Sequence, residues 1–167
     1  MSYSGPTQAS FAAAVTQLYR ELFPPGGCVL DLLCGRDSYL PPDVGYRRVV
    51  GLGLDLEELA ANLRLDAFVV QNLDLQPRLP FDAAEFEAVA LSDAVRFLVD
   101  PVEVLREVGR VLRPGSPLAI AFFRDGTQAR QVTRYLEAAG NWQDIMVLDR
   151  TAREGGDRLL AVCATAR

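Results

Sequence analysis

The stretch that most limits how this chain can fold is Cys28 to Pro42, CVLDLLCGRDSYLPP, a short apolar run closed by an acidic residue and followed by a cysteine-glycine turn. Everything after it reads as repeated strand and helix, so the run is expected to be the first strand of an open α/β sheet. In such sheets ligands sit beyond the carboxyl ends of the strands, where the first strand-to-helix turn lets backbone approach them closely. The candidate site is therefore expected around Asp31, Cys34, Gly35 and Arg36.

Upstream, Phe11, Val15, Leu18 and Leu22 recur at helical spacing, which predicts a helix from Thr7 to Phe23 that stops at Pro24-Pro25-Gly26-Gly27. After the first strand, Cys28 to Leu33, Pro41-Pro42 leaves room for about one helical turn at Asp37 to Leu40. Val49 to Leu54 reads as the second strand, and Asp55-Leu56-Glu57-Glu58 is a capping-box pattern opening a helix from Leu56 to Asn62. Further strands are expected at Ala67 to Leu73, Glu87 to Leu91 and Pro117 to Phe123. Helices are expected at Pro101 to Leu112, behind an Asp100 N-cap, and at Thr127 to Ala139. Two final extended runs, Trp142 to Thr151 and Arg158 to Ala166, flank REGGD and predict an antiparallel hairpin. No repeat or linker divides the 167 residues, so one domain is expected. Within it, 1–27 is expected to be the amino-terminal helix and linker, 28–123 the α/β core that carries the candidate binding site, and 124–167 the carboxyl-terminal helix and hairpin.

Composition removes several chemistries. There is no histidine and no lysine, so all 17 positive charges are arginine. A histidine triad, a histidine metal site, a P-loop and a Schiff-base lysine each lack their central residue. Cys28, Cys34 and Cys163 form no C-x-x-C pair, and no metal centre is expected. The net charge of −5, with arginines scattered, opposes a nucleic-acid surface. No apolar run approaches the roughly 20 residues of a membrane helix, so no membrane association is expected and a cytoplasmic location is the default.

Three further segments carry a family resemblance: VVGLGLDLEEL, LPFDAAEFEAV and DPVEVLREVGRVLRPGSPLAIAFF. With the first strand and its turn they resemble the type-11 group of class I S-adenosylmethionine (SAM) dependent methyltransferases over about Cys28 to Phe123. The resemblance implies a doubly wound, seven-stranded, mostly parallel α/β sheet with a carboxyl-terminal antiparallel hairpin, the Rossmann-like methyltransferase fold. It also implies SAM as cofactor and a small-molecule acceptor. The family's first motif is roughly D-x-G-x-G-x-G; Asp31 and Gly35 match, while Leu33 and Asp37 stand at glycine positions.

Residue by residue, the resemblance implies that Asp31 faces the cofactor's ammonium, that backbone from Cys34 to Arg36 lines its methionine part, and that Arg36 pairs with its carboxylate. At the end of the second strand the family's ribose-binding acid falls on Gly53. Leu54 and Asp55 follow, and Asp55 is either a replacement acid or simply a helix cap. Asn72 and Leu73 stand at the adenine position with Asp74 close by, and Ser92 and Asp93 at the pocket floor and substrate lip, with Asp93 the nominated base or orienting group. The altered positions Leu33, Asp37 and Gly53 support an alternative, a methyltransferase-like module that no longer binds SAM and serves as a binding or scaffolding protein. A dinucleotide-dependent oxidoreductase fits poorly, because the G-x-G-x-x-G spacing is absent.

Overall fold

The computed structural model describes residues 8–92, 94–123, 126–151 and 158–167. In chain order the elements are α1 (Gln8–Leu22), β1 (Cys28–Leu32), β2 (Arg48–Gly53), α2 (Leu56–Ala61), β3 (Ala67–Val70), β4 (Ala88–Ser92), a 3-10 turn at Ala94–Phe97, α3 (Pro101–Val111), β5 (Pro117–Phe123), α4 (Gly126–Ala139), β6 (Trp142–Thr151) and β7 (Arg158–Ala166). They build one seven-stranded sheet in the order β3-β2-β1-β4-β5-β7-β6. The first five strands in chain order pair in parallel, and β7 joins antiparallel to both β5 and β6.

Side-chain size alternates along the central strands and decides which helix covers which face. In β4 and β5 the residues Ala88, Ala90, Ala119 and Ala121 share a face with Val29 and Val49, and α1 seats there through Phe11, Val15, Leu18 and Tyr19. The opposite face presents Leu30, Leu32, Val89, Leu91, Leu118 and Ile120 to α3 and α4. The small residues let α1 approach the sheet closely, and both faces are buried as central parallel strands require.

The expected elements are present, with three differences. The third strand stops at Val70 instead of Leu73, because Asn72 Oδ1 accepts from the Asp74 N–H at 2.9 Å and its carbonyl accepts from Leu75 and Gln76, turning the chain. No helical turn forms at Asp37 to Leu40; the Ser38 hydroxyl accepts the Leu40 N–H and donates to Asp31. The 3-10 turn at Ala94–Phe97 was not anticipated. The REGGD turn of the hairpin lies outside the described residues.

Two of the parallel crossovers run without a helix, so side chains hold the loops down instead. In the β1–β2 connection Arg20 grips Asp43 through two bonds of 2.6 and 2.8 Å, while Arg64 Nη2 donates to the Pro41 and Val44 carbonyls. In the β3–β4 connection Arg110 on α3 donates to the Leu79 and Phe81 carbonyls at 3.0 Å and pairs with Glu107, which accepts the Leu79 N–H at 2.9 Å. That bond to Arg110 is also the main reason the Glu107 carboxyl is held below its ordinary range. Among the described residues no helix is long and apolar enough to cross a membrane.

The Arg110 fork therefore stands in for a missing helix. Arg110→Ala is expected to lower the free energy of unfolding by about 2–3 kcal/mol, because two carbonyls and a carboxylate lose their partner together. Arg110→Lys is expected to recover less than half of this, since a single ammonium cannot span the same acceptors. Urea unfolding of the three proteins measures both; a lysine variant as stable as the parent would show that charge alone holds the loop.

Candidate functional site

Strand order reverses between β1 and β4, the place where an open sheet leaves a crevice beyond its carboxyl edge. There the structure has a cleft of about 290 Å³, at the lower edge of the size of small-molecule sites. Its walls come from the ends of four strands: Leu33 to Gly35 after β1, Gly53 to Asp55 with Glu58 after β2, Asn72 to Asp74 after β3, and Ala94, Phe97 and Leu98 after β4.

The turn after β1 takes its shape from backbone. Leu33 has φ of 56°, the left-handed conformation that glycine adopts freely and leucine only at a cost of about 1–2 kcal/mol. This bends the chain so that the Cys34 N–H donates to the Leu52 carbonyl of β2 at 3.1 Å. The Gly35 carbonyl accepts from Asn62 Nδ2 at 2.8 Å, and Asn62 is the buried polar residue that caps the end of α2. The Leu33 side chain packs on the main core and forms one wall, leaving the cleft open. Tyr39 turns away, edge-on to the Phe11 ring on the α1 face.

Folding the turn onto β2 dictates the residue at the end of that strand. A Cβ on Gly53 would be driven into the Cys34 carbonyl oxygen, well inside van der Waals contact, so no side chain can stand there. Gly35 is open on its other side to Glu58, whose Oε2 lies 2.7 Å from where a Gly35 Cβ would be.

Among the described residues, Asp31, Asp55, Glu58 and Asp74 are the carboxylates in or next to the cleft lining. Asp31, two residues before the turn, is half-buried, and its hydrogen-bond partner is the Ser38 hydroxyl at 2.8 Å. It has no cation beside it among the described residues, so burial pushes its carboxyl up to about 6 against the opposing Ser38 bond. Asp55 caps α2, and both N–H bonds, from Glu57 and Glu58, go to Oδ1. Its cap role is thus confirmed, while Oδ2 stays clear of it. Glu58 does not complete a capping box among the described hydrogen bonds. Asp74 Oδ1 accepts from the Val99 N–H at 2.8 Å and ties the β3 and β4 loops together across the cleft. Burial and the Asp31 charge push the Cys34 thiol up to about 12, which leaves it a neutral packing group.

Of the residues singled out from sequence, the cleft gathers Cys34, Gly35, Gly53, Leu54, Asp55, Asn72 and Leu73. Asp31 sits behind the turn on the α1 face. Arg36 and Asp37 open onto a neighbouring groove with Ser38 and Arg64. Ser92 ends β4 half-buried outside the cleft, and Asp93 lies outside the described residues. Sequence reasoning named Asp74 only as a neighbour of Asn72 and did not place Glu58 or Phe97 at the site. The signal for Glu58 was present as the N3 carboxylate of the helix start, read only as a cap. Among the described residues no group of three or more histidine, cysteine or acidic side chains is placed to hold a metal ion.

A family model described as a methyltransferase domain matches residues 30–120. Over 128 residues the chain is 31% identical to the chloroplastic 2-phytyl-1,4-beta-naphthoquinone methyltransferase of Arabidopsis thaliana, covering 67% of this chain and 47% of that protein. Over 60 residues it is 43% identical to the demethylmenaquinone methyltransferase of Mycolicibacterium gilvum, covering 36% of this chain and 26% of that one. The chain thus spans about half the length, or less, of these curated relatives. Among solved structures, the [4+2]-cyclase SpnF superposes with a TM-score of 0.75 at 16% identity, over 99% of this chain and 85% of that one. A SAM-dependent methyltransferase from Aquifex aeolicus gives 0.70 at 18% identity, over 96% and 94%. At these identities the structures establish the fold.

Two consequences follow for stability. At position 33 the usual order of alanine and glycine should invert: Leu33→Gly relieves the left-handed strain that Leu33→Ala keeps, so the glycine variant should be the more stable by about 1 kcal/mol in chemical unfolding. A more stable alanine variant would mean the turn relaxes when the leucine is lost. Because the folded-state carboxyl of Asp31 is raised, its ionised form opposes folding, and that cost appears as pH rises through about 6. Asp31→Asn should match the parent in thermal unfolding at pH 4 and exceed it by about 1–3 kcal/mol above pH 7. A gap that does not grow with pH would show Asp31 to be paired in solution.

Proposed function

The chain belongs to the type-11 methyltransferase-domain family of the class I SAM-dependent methyltransferases, and on that premise we propose that it binds SAM in the cleft and methylates a small-molecule acceptor. The observation that carries this reading is Asp31: a half-buried carboxylate without a neighbouring cation, at the base of a turn whose backbone borders an open cleft. Burying this charge costs stability that the single Ser38 bond only partly offsets, and a positive charge brought by a ligand would offset the rest. The ammonium of SAM is a charge of that kind.

The cleft fits the rest of the cofactor. Leu33, Leu54, Leu73 and Phe97 supply apolar walls for a flat ring, and carboxylate and amide oxygens line the rim to accept from amino and hydroxyl groups. Asn72 Oδ1 already accepts from Asp74, which leaves Asp74 Oδ2 as the acceptor on that side without an assigned bond. When bound, SAM supplies a methyl group on a sulfonium, and transfer to an acceptor's lone pair breaks the carbon–sulfur bond with the electron pair leaving on sulfur. Such a displacement depends on alignment, so the residues' work is to position and to exclude water, and the absence of histidine does not weigh against it. The SAM-free module fits less well, because Leu33 stands beside the cleft without filling it and Gly53 is explained by packing.

The fold does not decide chemistry by itself, as a structural neighbour named for a cyclisation makes plain. Two relatives are named for quinone substrates, and the cleft lining includes exposed Leu54 and Phe97. An aromatic or quinoid acceptor is therefore the class to test first. A cytoplasmic place of work is part of the same reading.

Calorimetric titration with SAM and S-adenosylhomocysteine tests the reading. The parent is expected to bind both, and Asp31→Asn to bind at least about tenfold more weakly while being the more stable protein at neutral pH. No heat with either compound at millimolar concentration would sink the proposal.

A further inference from the structure

We infer that Glu58, on the first turn of α2, is the group that binds the ribose hydroxyls of the nucleoside in this cleft, in place of an acid at the end of β2. The inference rests on the reading of the cleft as a SAM site and assigns a residue that sequence alignment does not. An acid at the strand end is sterically impossible here. Its position is Gly53, and the Cys34 carbonyl occupies the space any Cβ would need. Because the Cys34 N–H is at the same time bonded to Leu52, the obstruction cannot move aside without unpairing the turn from β2.

The choice then lies among the other carboxylates. Asp37 lines the neighbouring groove and not the cleft. Asp74 lies across the cleft after β3, and Asp31 behind the turn. Asp55 spends Oδ1 on two helix N–H groups, which fixes its rotamer as a cap. Glu58 alone has its carboxylate laid over the turn itself. It lies above Gly35, where a methyl group would meet Oε2 at 2.7 Å, and it borders the cleft with no ion-pair partner among the described residues. Gly35 thus has a second use besides backbone approach: it makes the seat for the Glu58 carboxylate. Two oxygens with free lone pairs at a cleft wall match a vicinal diol, which donates two hydrogen bonds to one carboxylate.

The test compares S-adenosylhomocysteine with its 2′,3′-dideoxy analogue by calorimetry, in the parent and in Glu58→Gln, Asp55→Asn and Gly35→Ala. The parent should prefer the ribose form by about 10- to 100-fold, the range of one or two charge-assisted hydrogen bonds. Glu58→Gln should bind the two within about threefold of each other, with an unchanged unfolding temperature for the unliganded protein. Gly35→Ala, which displaces the same carboxylate, should also lose the preference, whereas Asp55→Asn should keep most of it. Undiminished preference in Glu58→Gln, or equal weakening of both ligands, overturns the assignment and leaves the SAM reading standing. A parent that binds neither ligand overturns both.

Discussion

The site depends on one short contact, the hydrogen bond from the Cys34 N–H to the Leu52 carbonyl that folds the turn after β1 onto the end of β2. Once it is made, the Cys34 carbonyl faces Gly53, a side chain there is excluded, and the cleft wall between β1 and β2 is plain backbone. The contact needs Leu33 in the left-handed region, and the strain is met by packing that side chain on the core. A leucine thus performs the backbone role of a glycine, and its side chain doubles as a wall of the cleft.

The same economy shows in the crossovers. A parallel strand pair ordinarily returns through a helix, and the loops β1–β2 and β3–β4 do without one. Arginines take over the work: Arg20 and Arg64 hold the first loop, and Arg110 holds the second through carbonyls that a helix would have satisfied internally. Guanidinium suits this better than ammonium because one planar group serves several acceptors at once. With its loops held in this way, a short chain keeps the full seven-stranded sheet and a crevice at the switch point.

Most of the architecture was legible in the amino-acid sequence because strand and helix periods are local properties. Asp55 as a cap, Pro101 at a helix start and the bounds of β5, β6 and β7 all come from patterns within a few residues. The site was legible only in part. Cys34, Gly35, Asn72 and Leu73 could be placed because they follow strand ends, but Asn72 was read as a strand residue when its side chain makes a turn. Glu58 was read only as part of a helix start and Asp74 only as a neighbour of Asn72, because their places at the cleft depend on how two loops meet in space, which no spacing encodes. Arg36 was drawn to the ligand by charge, and the turn carries it to the other groove.

Motif comparison misleads here for a physical reason. A glycine-rich turn is usually read as three separate requirements for missing side chains, yet around this turn the backbone excludes a Cβ at Gly53, on a different strand, while at Gly35 a Cβ would meet the end of the Glu58 side chain. Position 33 requires a backbone angle, which leucine meets at a cost, and position 37 lies beyond the cleft altogether. The loss of a glycine from such a motif is therefore evidence against ligand binding only where a Cβ would enter the ligand's space or displace what holds it. By that criterion Leu33 does not count against a ligand, since it packs on the core and walls the cleft without filling it, and the half-buried Asp31 points the same way. A carboxylate that weakens the fold without a ligand would be replaced by asparagine at a gain in stability, so its presence fits a cleft in use.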